Sequence, residues 1–577
     1  MVSAMAKKPS LLLTIAAALS LMGCPGGGDG GPSNSSLASS GNVVYLADKN
    51  TDGVFELFLV SSGAKLNGPI VAGGSGVSTF ALTPDKSAVV YIADEKTVGV
   101  FELFQVSIAT PGVSAKLNGP LLIPQGDVES FVITPDGTSV VYSADTQFDQ
   151  VFDVFRVLFT TPQASTRLNP ALGVGQTVSK FAVTPDSTKV VYIADQTPGV
   201  DELFQVAFTN PLNPTKLNVP LASPKNVTDF VISPNSASVV YRADLNINGV
   251  FEIFPAPISG PGSATSVNPP LTSGQSVTAF AITPNNSAVV YRANNTPTAQ
   301  FALFLVTFAQ LQNAVTLNGA LTPGGNVSSF AIAPNGSAVV YNADQNIVGV
   351  VELFYVPITP VGAAQKINPT FTAPQTVSAF AITPDSSAAV YLANQRGTNS
   401  GATTNASGYA VGTTVITLAS AGTGTIMAGD VISFAGDSNK YVVASGNNNV
   451  AAGGPITLAT PGLLQAIPAS ATTITTVNNV VQLYRVPFSC LQANPASSCP
   501  QAIPAPTNLP SLNGALAAGG AVSSFAVSPD STLVFYLADQ TTFAVTELYA
   551  VNVGSPGGSS KLNGQLTPGG NVTAVGF

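Results

Sequence analysis

The chain has 577 residues, of which 45% are apolar and only 8% are charged, and it contains 53 glycines and 44 prolines. This composition is typical of many short strands joined by tight turns, and it excludes an intrinsically disordered chain. The sequence has no histidine, which excludes a Ser-His-Asp or Cys-His nucleophile, a His-ligated zinc site and a histidine general base. The net charge of −9 argues against binding of nucleic acid or of an anionic membrane surface.

The N-terminal segment has the pattern of an export signal. Lys7 and Lys8 precede a short apolar run that ends in Leu-Met-Gly-Cys at residues 21–24. These four residues resemble the lipobox of bacterial lipoproteins, which implies cleavage before Cys24 and attachment of lipid to it; an ordinary signal peptide with a chance cysteine is the alternative. We therefore expect a signal peptide over residues 1–23, a flexible tether over 24–41, and a lipid-anchored protein of the cell envelope, at the outer membrane and periplasm or on the cell surface.

A pattern of about fifty residues then recurs through the rest of the chain. In its second copy it has Thr-Pro-Asp at residues 83–85, Val-Val-Tyr at 89–91, Glu-Leu-Phe at 102–104 and Lys-Leu-Asn at 116–118. Four strand-like runs in each unit of this length predict the four-stranded blades of a β-propeller. The repeating tyrosine stands at Tyr45, Tyr91, Tyr142, Tyr192, Tyr241, Tyr291, Tyr341, Tyr391 and Tyr536.

The two ends of the repeat region complement each other. The first copy begins at Val43 without its innermost run, and residues 571–577 supply such a run with nothing after it. If the two fragments pair, they complete one blade and cover the sheet edges that an open array would expose. We predict an all-β chain whose residues 42–577 form one large propeller of about nine four-stranded blades, with eight as the alternative.

The Ser/Thr-Pro-Asp turn, Val-Val-Tyr-x-Ala-Asp and Glu-Leu-Phe-x-Val resemble the WD40-like (PD40) repeats of TolB-type periplasmic propellers over nearly the whole of residues 42–577. The resemblance implies the propeller fold. It also implies that the recurring residues are structural, while partners dock on loops that vary between members.

An acidic pair marks the loop between the second and third strands in seven repeats, and two of these loops resemble the calcium-binding loops of integrin-type propellers. Oxygen-bearing residues alternate, a glycine stands in the sixth place and a carboxylate closes the loop. In the alternative interpretation the aspartate caps backbone N–H groups and no ion is bound. The candidate ligands of a structural calcium are Asp48, Asn50, Asp52 and Glu56 in one loop and Asp244, Asn246, Asn248 and Glu252 in the other.

Two arginines, Arg242 and Arg292, replace apolar residues at equivalent places of adjacent repeats. They could line an anion site, or they could be strand arginines whose stems lie on apolar surface while the charge reaches water.

The spacing breaks between Tyr391 and Tyr536, where most of the extra residues fall in one second-to-third-strand loop. Short strand patterns separated by Gly/Ala turns predict a small β domain over residues 396–478, and part of it looks like a β-barrel segment of some phage structural proteins. Beyond it, Cys490 and Cys499 are expected to form one disulfide in an exported protein, with two free thiols as the alternative.

No enzyme active site is evident, so we expect a non-enzymatic binding or scaffolding module that presents its loop face to an envelope protein or glycan, touches the membrane only through its lipid, and needs no cofactor other than a structural calcium. A propeller enzyme acting on glycans through paired carboxylates is the second hypothesis, and it requires acids that converge near the central channel. A surface adhesin or phage-related receptor is the third.

Overall fold

The computed structural model describes residues 42–577 except 295–299, 395–399, 404–406, 427–429, 438, 440, 448, 459–461, 470, 477–479, 490–510, 515, 518–519, 543 and 556–557. The described chain folds almost wholly into antiparallel strands, which form nine sheets of three or four strands and one closed barrel. In the first four sheets the strands are β1 (Val44–Ala47) and β2 (Glu56–Leu59); β3 (Val77–Leu82), β4 (Ala88–Thr97), β5 (Val100–Ser107) and β6 (Ser114–Lys116); β7 (Val128–Ile133), β8 (Ser139–Ala144), β9 (Asp153–Leu158) and β10 (Thr166–Arg167); and β11 (Val178–Val183), β12 (Lys189–Thr197), β13 (Val200–Ala207) and β14 (Thr215–Lys216).

The next four sheets continue in chain order, and the barrel interrupts the last of them. They contain β15 (Val227–Ile232), β16 (Ser238–Ile247) and β17 (Val250–Pro257); β18 (Val277–Ile282), β19 (Ala288–Ala293), β20 (Ala302–Thr307) and β21 (Val315–Thr316); β22 (Val327–Ile332), β23 (Ala338–Ala343), β24 (Glu352–Pro357) and β25 (Gln365–Lys366); and β26 (Val377–Ile382), β27 (Ala388–Ala393) and β34 (Gln482–Pro487). The barrel consists of β28 (Ser400–Thr403), β29 (Val415–Thr423), β30 (Val431–Phe434), β31 (Tyr441–Ser445), β32 (Gly454–Leu458) and β33 (Thr473–Thr476). The ninth sheet has β35 (Val522–Val527), β36 (Leu533–Ala538), β37 (Glu547–Asn552) and β38 (Ser560–Lys561), and β39 (Val572–Gly576) follows it.

The ring is closed by the last strand, as the sequence predicts. Strand β39 pairs with β1, so the first sheet has the order β2-β1-β39. The N–H of Val572 donates to the carbonyl of Thr546 in the ninth sheet at 2.8 Å, and the same bond joins Val77 to Phe55 at 2.9 Å. Because the interface between the ninth and first sheets repeats the hydrogen bond of an ordinary interface, the nine sheets form one propeller of nine blades.

Each blade buries both faces between its neighbours, which explains the uninterrupted apolar runs. Adjacent blades share clusters of buried side chains; Tyr91, for example, packs with Val44 and Leu57 of the preceding blade. The repeating tyrosine stacks on the aromatic ring opposite it on the third strand, with 5.7 Å between the centroids of Tyr91 and Phe104. The first strands lie innermost, since β15 contacts β18 and β3 contacts β39.

Every inner strand carries an extra residue near its start. In the second blade, Val77 pairs with Ala93 and Thr79 pairs with Ile92, so Ser78 bulges out of the ladder. The Ser78 hydroxyl donates to the carbonyl of Ile92 at 3.3 Å. A bulge turns the strand locally, and here it is occupied by a short polar residue at the inner rim of the ring.

Two details differ from the sequence prediction. Strands β4, β12 and β16 continue beyond the aspartate of the acidic pair, which was expected to lie in the loop after the second strand. The first, fifth and eighth blades have no fourth strand among their described residues. In the fifth blade the reason is visible. Pro255 occupies the place where Gln105 and Gln205 pair with their fourth strands, and a proline has no N–H to donate to a neighbouring strand.

The inserted barrel has a hydrophobic core of its own. Fourteen buried side chains, among them Ile416, Phe434 and Tyr441, form a cluster in which every member comes from the barrel segment. The insertion between β27 and β34 therefore forms a closed β unit, and it adds β28, a strand that the sequence pattern did not predict. None of the helical turns in the described residues has the length or the apolar character needed to cross a membrane.

Candidate functional site: the hairpin face

The antiparallel order of the blades gives the ring two different ends. The hairpins between second and third strands and the connections between blades lie at one end, which we call the hairpin face. The Pro-Asp turns and the loops between third and fourth strands lie at the other end, which we call the turn face. Both acidic residues of each repeating pair, and the loop that carries the barrel, belong to the hairpin face.

The aspartate of each hairpin caps backbone N–H groups. Asp94 accepts hydrogen bonds from the N–H of Gly76 at 2.7 Å, in the connection that leads into the inner strand, and from the N–H of Gly99 at 3.3 Å, in the hairpin. These bonds satisfy donors of two loops with one side chain. The bond to the connection recurs at Asp48, Asp145, Asp195, Asp244 and Asp344, and at Asn294 and Asn394, where asparagine replaces the acid.

The acid that opens the third strand is paired with a cation of the fourth strand. The Nζ atom of Lys65 is 2.7 Å from Glu56 Oε1, and that of Lys216 is 2.6 Å from Glu202 Oε2. This cationic partner was not predicted from the sequence. The corresponding pairs are Glu102 with Lys116, Asp153 with Arg167, Glu352 with Lys366 and Glu547 with Lys561.

Substitutions among the repeats support the same pairing and could have revealed it. Where the acid is replaced by Ala302, the cation is replaced by Thr316, and where Gln482 stands, Ser511 takes the place of the lysine. Glu252 is the exception, because Ser266 stands where other blades have the cation. Its carboxylate instead accepts hydrogen bonds from two asparagine side chains and from one backbone N–H.

The pKa values of two third-strand acids differ in direction with their partners. Burial raises the pKa of Asp153, and its cation Arg167 lies 3.7 Å away. Burial also acts to raise the pKa of Glu547, but hydrogen bonds from Lys561, Thr541 and Tyr549 outweigh it and hold the pKa below its usual value. A partly buried carboxylate therefore stays ionised where its donors are close.

The two candidate calcium loops already contain donors for their acids. Asn50 Nδ2 donates to Glu56 at 2.7 Å and Gly53 N–H donates to Asp48 at 3.2 Å, while Asp52 is exposed at the hairpin tip. A cation would need these donors to turn away from the carboxylates. Within the part of the chain that the structure describes, no group of three or more Asp, Glu, His or Cys side chains is placed to hold a metal ion.

The second loop has the same arrangement. Asn246 Nδ2 donates to Glu252 at 2.6 Å, Gly249 N–H donates to Asp244 at 2.9 Å, and Asn248 is exposed. The capping alternative thus accounts for the aspartates in both loops, and calcium binding there stays a prediction. The predicted lipidation site Cys24 and the predicted disulfide of Cys490 and Cys499 lie outside the described residues.

The inner strands carry two carboxylates among their described residues, and they lie two blades apart. Asp229 in the fifth blade is ion-paired with Lys180 of the fourth. Glu129 lies in the third blade, and burial together with the charge of Asp145 raises its pKa. These two acids do not form the close pair that carboxylate-based glycan hydrolysis requires.

Apolar side chains gather at one place on the hairpin face. An open cavity of about 480 Å³ lies between the connections and the hairpin of the third blade; it is lined by Ile123, Pro124, Phe148 and Val174 together with the polar residues Gln125, Gln147 and Asp149. Phe148 is 44% exposed and Val174 is 80% exposed. Clustered exposed apolar side chains mark a candidate interaction site, whereas single exposed apolar residues are common everywhere.

No family model and no curated protein matches the chain. Among solved structures, a putative TolB from Agrobacterium tumefaciens is 16% identical with a TM-score of 0.27, covering 37% of this chain and 70% of that one. An oligogalacturonate lyase from Vibrio parahaemolyticus is 13% identical with a TM-score of 0.34, covering 61% and 94%. Oligopeptidase B from Leishmania major is 12% identical with a TM-score of 0.38, covering 55% and 45%. These values are too low to place the chain in a family, and the fold assignment rests on the sheet topology and the closure of the ring.

Proposed function

We propose that this protein is a non-enzymatic lipoprotein of the cell envelope, with TolB-type WD40-like repeats, that binds a protein partner on its hairpin face. The observation that carries the proposal is the open cavity around the exposed apolar side chains of Phe148 and Val174 on that face. The cavity is formed by residues that differ between repeats, whereas the recurring residues are engaged in holding the blades together.

The hydrogen bonds and ion pairs of the repeating acids within the blades support a binding function rather than catalysis. General acids and bases need carboxylates that can reach a substrate. Here the hairpin aspartates accept backbone hydrogen bonds, the third-strand acids are hydrogen-bonded or ion-paired within their blades, and Asp229 is paired with Lys180.

A protein is the partner class that the exposed side chains favour. Seven exposed large apolar residues lie on the hairpin face, compared with three in the loops of the turn face; the seven are Val98, Leu122, Phe148, Val174, Ile247, Ile347 and Val348, and the three are Val113, Leu212 and Val361. Only one of them is aromatic, and the chain has no tryptophan. Aliphatic side chains around a concave surface suit the apolar centre of a protein interface.

The anchor belongs to the same proposal. A lipid on Cys24 and the tether over residues 24–41 would leave the ring free to meet a partner close to a membrane. The experiment is to replace Cys24 with serine, which should abolish incorporation of labelled fatty acid and release the protein from membranes. Unchanged labelling would remove the anchor from the proposal without affecting the binding surface.

Two matched triple variants test the binding surface. V98S/F148S/V174S removes apolar side chains from the hairpin face, and V113S/L212S/V361S removes apolar side chains from the turn face. The exposures are comparable, at 53%, 44% and 80% for the first set and 71%, 49% and 39% for the second. Both triples should fold like the parent, since substitutions at exposed positions usually change stability little.

The readout is quantitative capture of envelope proteins by purified parent and variants, followed by affinity measurement with the captured protein. Loss of about 1–3 kcal/mol of binding free energy in the hairpin-face triple alone would support the proposal. Equal binding by both triples would reject the hairpin face as the docking surface. Capture of a glycan that the protein then cleaves would replace the proposal with the enzyme hypothesis.

A further inference from the structure

The inner rim of the hairpin face carries two arginines at a position where most repeats have an apolar residue. Arg242 and Arg292 follow the repeating tyrosines Tyr241 and Tyr291, at a position that faces the next blade in the ring. Five of the other seven repeats have an apolar residue there, buried in the interface between blades. The residues at the equivalent position are Leu46, Ile92, Ser143, Ile193, Asn342, Leu392 and Leu537.

Both guanidinium groups are held beside one residue, Thr278. Arg242 Nε donates to Thr228 Oγ1 at 2.9 Å, and its Nη1 donates to the carbonyl of Thr278 at 3.2 Å. Arg292 Nε donates to Thr278 Oγ1 at 2.9 Å, and its Nη1 donates to the carbonyl of Ser328. The two arginines are therefore fixed on either side of the start of strand β18, where the inner strand meets the hairpin face.

Aromatic rings limit the motion of the same two groups. The Cζ atom of Arg242 lies 5.6 Å from the centroid of Phe251, and that of Arg292 lies 4.9 Å from the centroid of Phe301. A guanidinium that is stacked and hydrogen-bonded through Nε and Nη1 keeps Nη2 in a defined direction. Because the two side chains are already ordered, ligand binding at their Nη2 atoms would cost little additional side-chain entropy.

The positive charges of the pair are not neutralised by the protein. Among the described residues, neither arginine has a carboxylate within ion-pair distance, and the contacts of both are to hydroxyl and carbonyl oxygens. Asp229 lies opposite Arg242 in the strand register, but its carboxylate binds Lys180 of the neighbouring blade. Burial lowers the pKa of Arg292, as expected for a charge that is partly withdrawn from water without a counter-ion.

We propose that Arg242 and Arg292 form an oxyanion-binding site at the hairpin-face mouth of the central channel. The ligand group is a phosphate or carboxylate that accepts hydrogen bonds from the guanidinium groups beside Thr278, since a guanidinium binds oxyanions through charge-assisted hydrogen bonds. The site is separate from the open cavity of the third blade, and it does not depend on the proposed protein partner.

Residues from other repeats supply variants that should fold. The double variant R242L/R292I places at each position an apolar residue that Leu392 and Ile92 already occupy in their own blades. The control K86G/K189S removes two positive charges at the turn face and copies Gly137 and Ser139 of the third blade. Both variants change the net charge by the same amount.

The probes are inorganic phosphate and acetate, titrated calorimetrically against sodium chloride of equal ionic strength. We expect the parent to bind at least one probe with a stoichiometry of one, and the probe that binds identifies the ligand group. Binding should weaken by at least about tenfold in R242L/R292I, because two charge-assisted hydrogen bonds are lost, and it should be unchanged in K86G/K189S. Absence of binding to the parent, or equal weakening in both double variants, would overturn the proposal.

A measurement on the unmodified chain keeps the test decisive if the double variant does not fold. Phenylglyoxal modifies accessible guanidinium groups, and mass spectrometry reports the rate at each arginine. The probe that binds should slow modification of Arg242 and Arg292 and leave the rate at Arg485 unchanged. If the probe does not slow modification of Arg242 and Arg292, or slows modification of Arg485 equally, the site is overturned.

Discussion

Two tyrosines at equivalent positions should respond in opposite ways to loss of their hydroxyl group. Tyr91 and Tyr291 are both fully buried, and each stacks on a phenylalanine of the third strand. Replacing either with phenylalanine keeps the ring and its apolar contacts. The change in stability therefore reports only on the environment of the hydroxyl group.

The two hydroxyl groups have different partners. Tyr91 donates to Glu95 Oε1 at 2.5 Å and accepts from the N–H of Gly68 at 3.4 Å. Among the described residues, the Tyr291 hydroxyl has no hydrogen-bond partner. Gly68 belongs to the blade before that of Tyr91, and Pro269 occupies the equivalent position in the blade before that of Tyr291. A proline has no N–H to donate to the tyrosine hydroxyl.

The magnitude follows from these contacts. In Tyr91→Phe the carboxylate of Glu95, which is 3% exposed, loses a donor, and the loss of a hydrogen bond to a charged group costs about 1.5–3 kcal/mol. In Tyr291→Phe an unsatisfied buried hydroxyl is removed, so stability should be unchanged or higher by up to about 1 kcal/mol. Tyr142→Phe should fall between them, because its hydroxyl bonds the neutral Ser165 at 2.7 Å.

The assay is unfolding of the parent and the three variants followed by circular dichroism at one pH, with heat and with urea. A large repeat protein need not unfold in two states, so the order of the midpoints is the decisive quantity. We expect Tyr91→Phe to be lowest and Tyr291→Phe to be at or above the parent. If Tyr291→Phe proves as unstable as Tyr91→Phe, the hydrogen bonds of the two hydroxyl groups do not determine the difference in stability.

The other predictions concern closure, the insertion, alkaline pH and calcium. Deleting residues 571–577 should expose the edge of the first blade and lower the melting temperature far more than deleting residues 25–40, and equal effects would contradict closure by β39. Replacing residues 396–478 with a short hairpin from another blade should leave a folded ring with near-parental circular dichroism and melting, because the barrel buries its own core; aggregation of this variant would show that the ring needs the barrel. Burial raises the pKa of most of the tyrosines above 10, so the unfolded state releases protons first and stability should fall as pH rises above about 10, with little tyrosinate absorbance before unfolding; normal tyrosine titration in the folded protein would refute this. If calcium binds the first loop, added calcium should raise the melting temperature and Asp52→Ala should remove the rise; an unchanged melting temperature would support the capping alternative, in which the Asn50 amide donates to Glu56. The tyrosines with raised pKa are Tyr45, Tyr91, Tyr142, Tyr192, Tyr241, Tyr291, Tyr341, Tyr391, Tyr441, Tyr536 and Tyr549.

Periodicity made the fold predictable because every blade interface is built from the same parts. One tyrosine, one third-strand aromatic and one Pro-Asp or Pro-Asn turn recur with nearly constant spacing, so a single correctly interpreted copy describes most others. The turn itself is local chemistry: the Thr83 carbonyl accepts from the N–H of Lys86 at 2.7 Å, and the Thr83 hydroxyl donates to Asp85 at 2.6 Å. Closure was equally visible, since the first and last fragments are complementary parts of one repeat.

The details that periodicity did not predict depend on strand register. That Pro255 removes a fourth strand follows only when it is known to face the outer edge of its sheet. The lysine partner of the third-strand acid required the pairing of the third strand with the fourth, which places Lys116 opposite Phe104 and within reach of Glu102. A sequence pattern shows that residues recur together, whereas the pairing of strands determines which of them touch.

The nine repeats also act as an internal alignment that separates structural from functional residues. An acid that disappears together with its cation, as Ala302 and Thr316 show, is maintained by its partner within the blade. Arg242 and Arg292 depart from the repeat without a compensating carboxylate among the described residues, although burying a charge is costly. The oxyanion ligand proposed above would supply the missing counter-charge. By this reasoning the arginine pair and the exposed apolar side chains of the hairpin face, rather than the repeating acids, are where recognition should be sought.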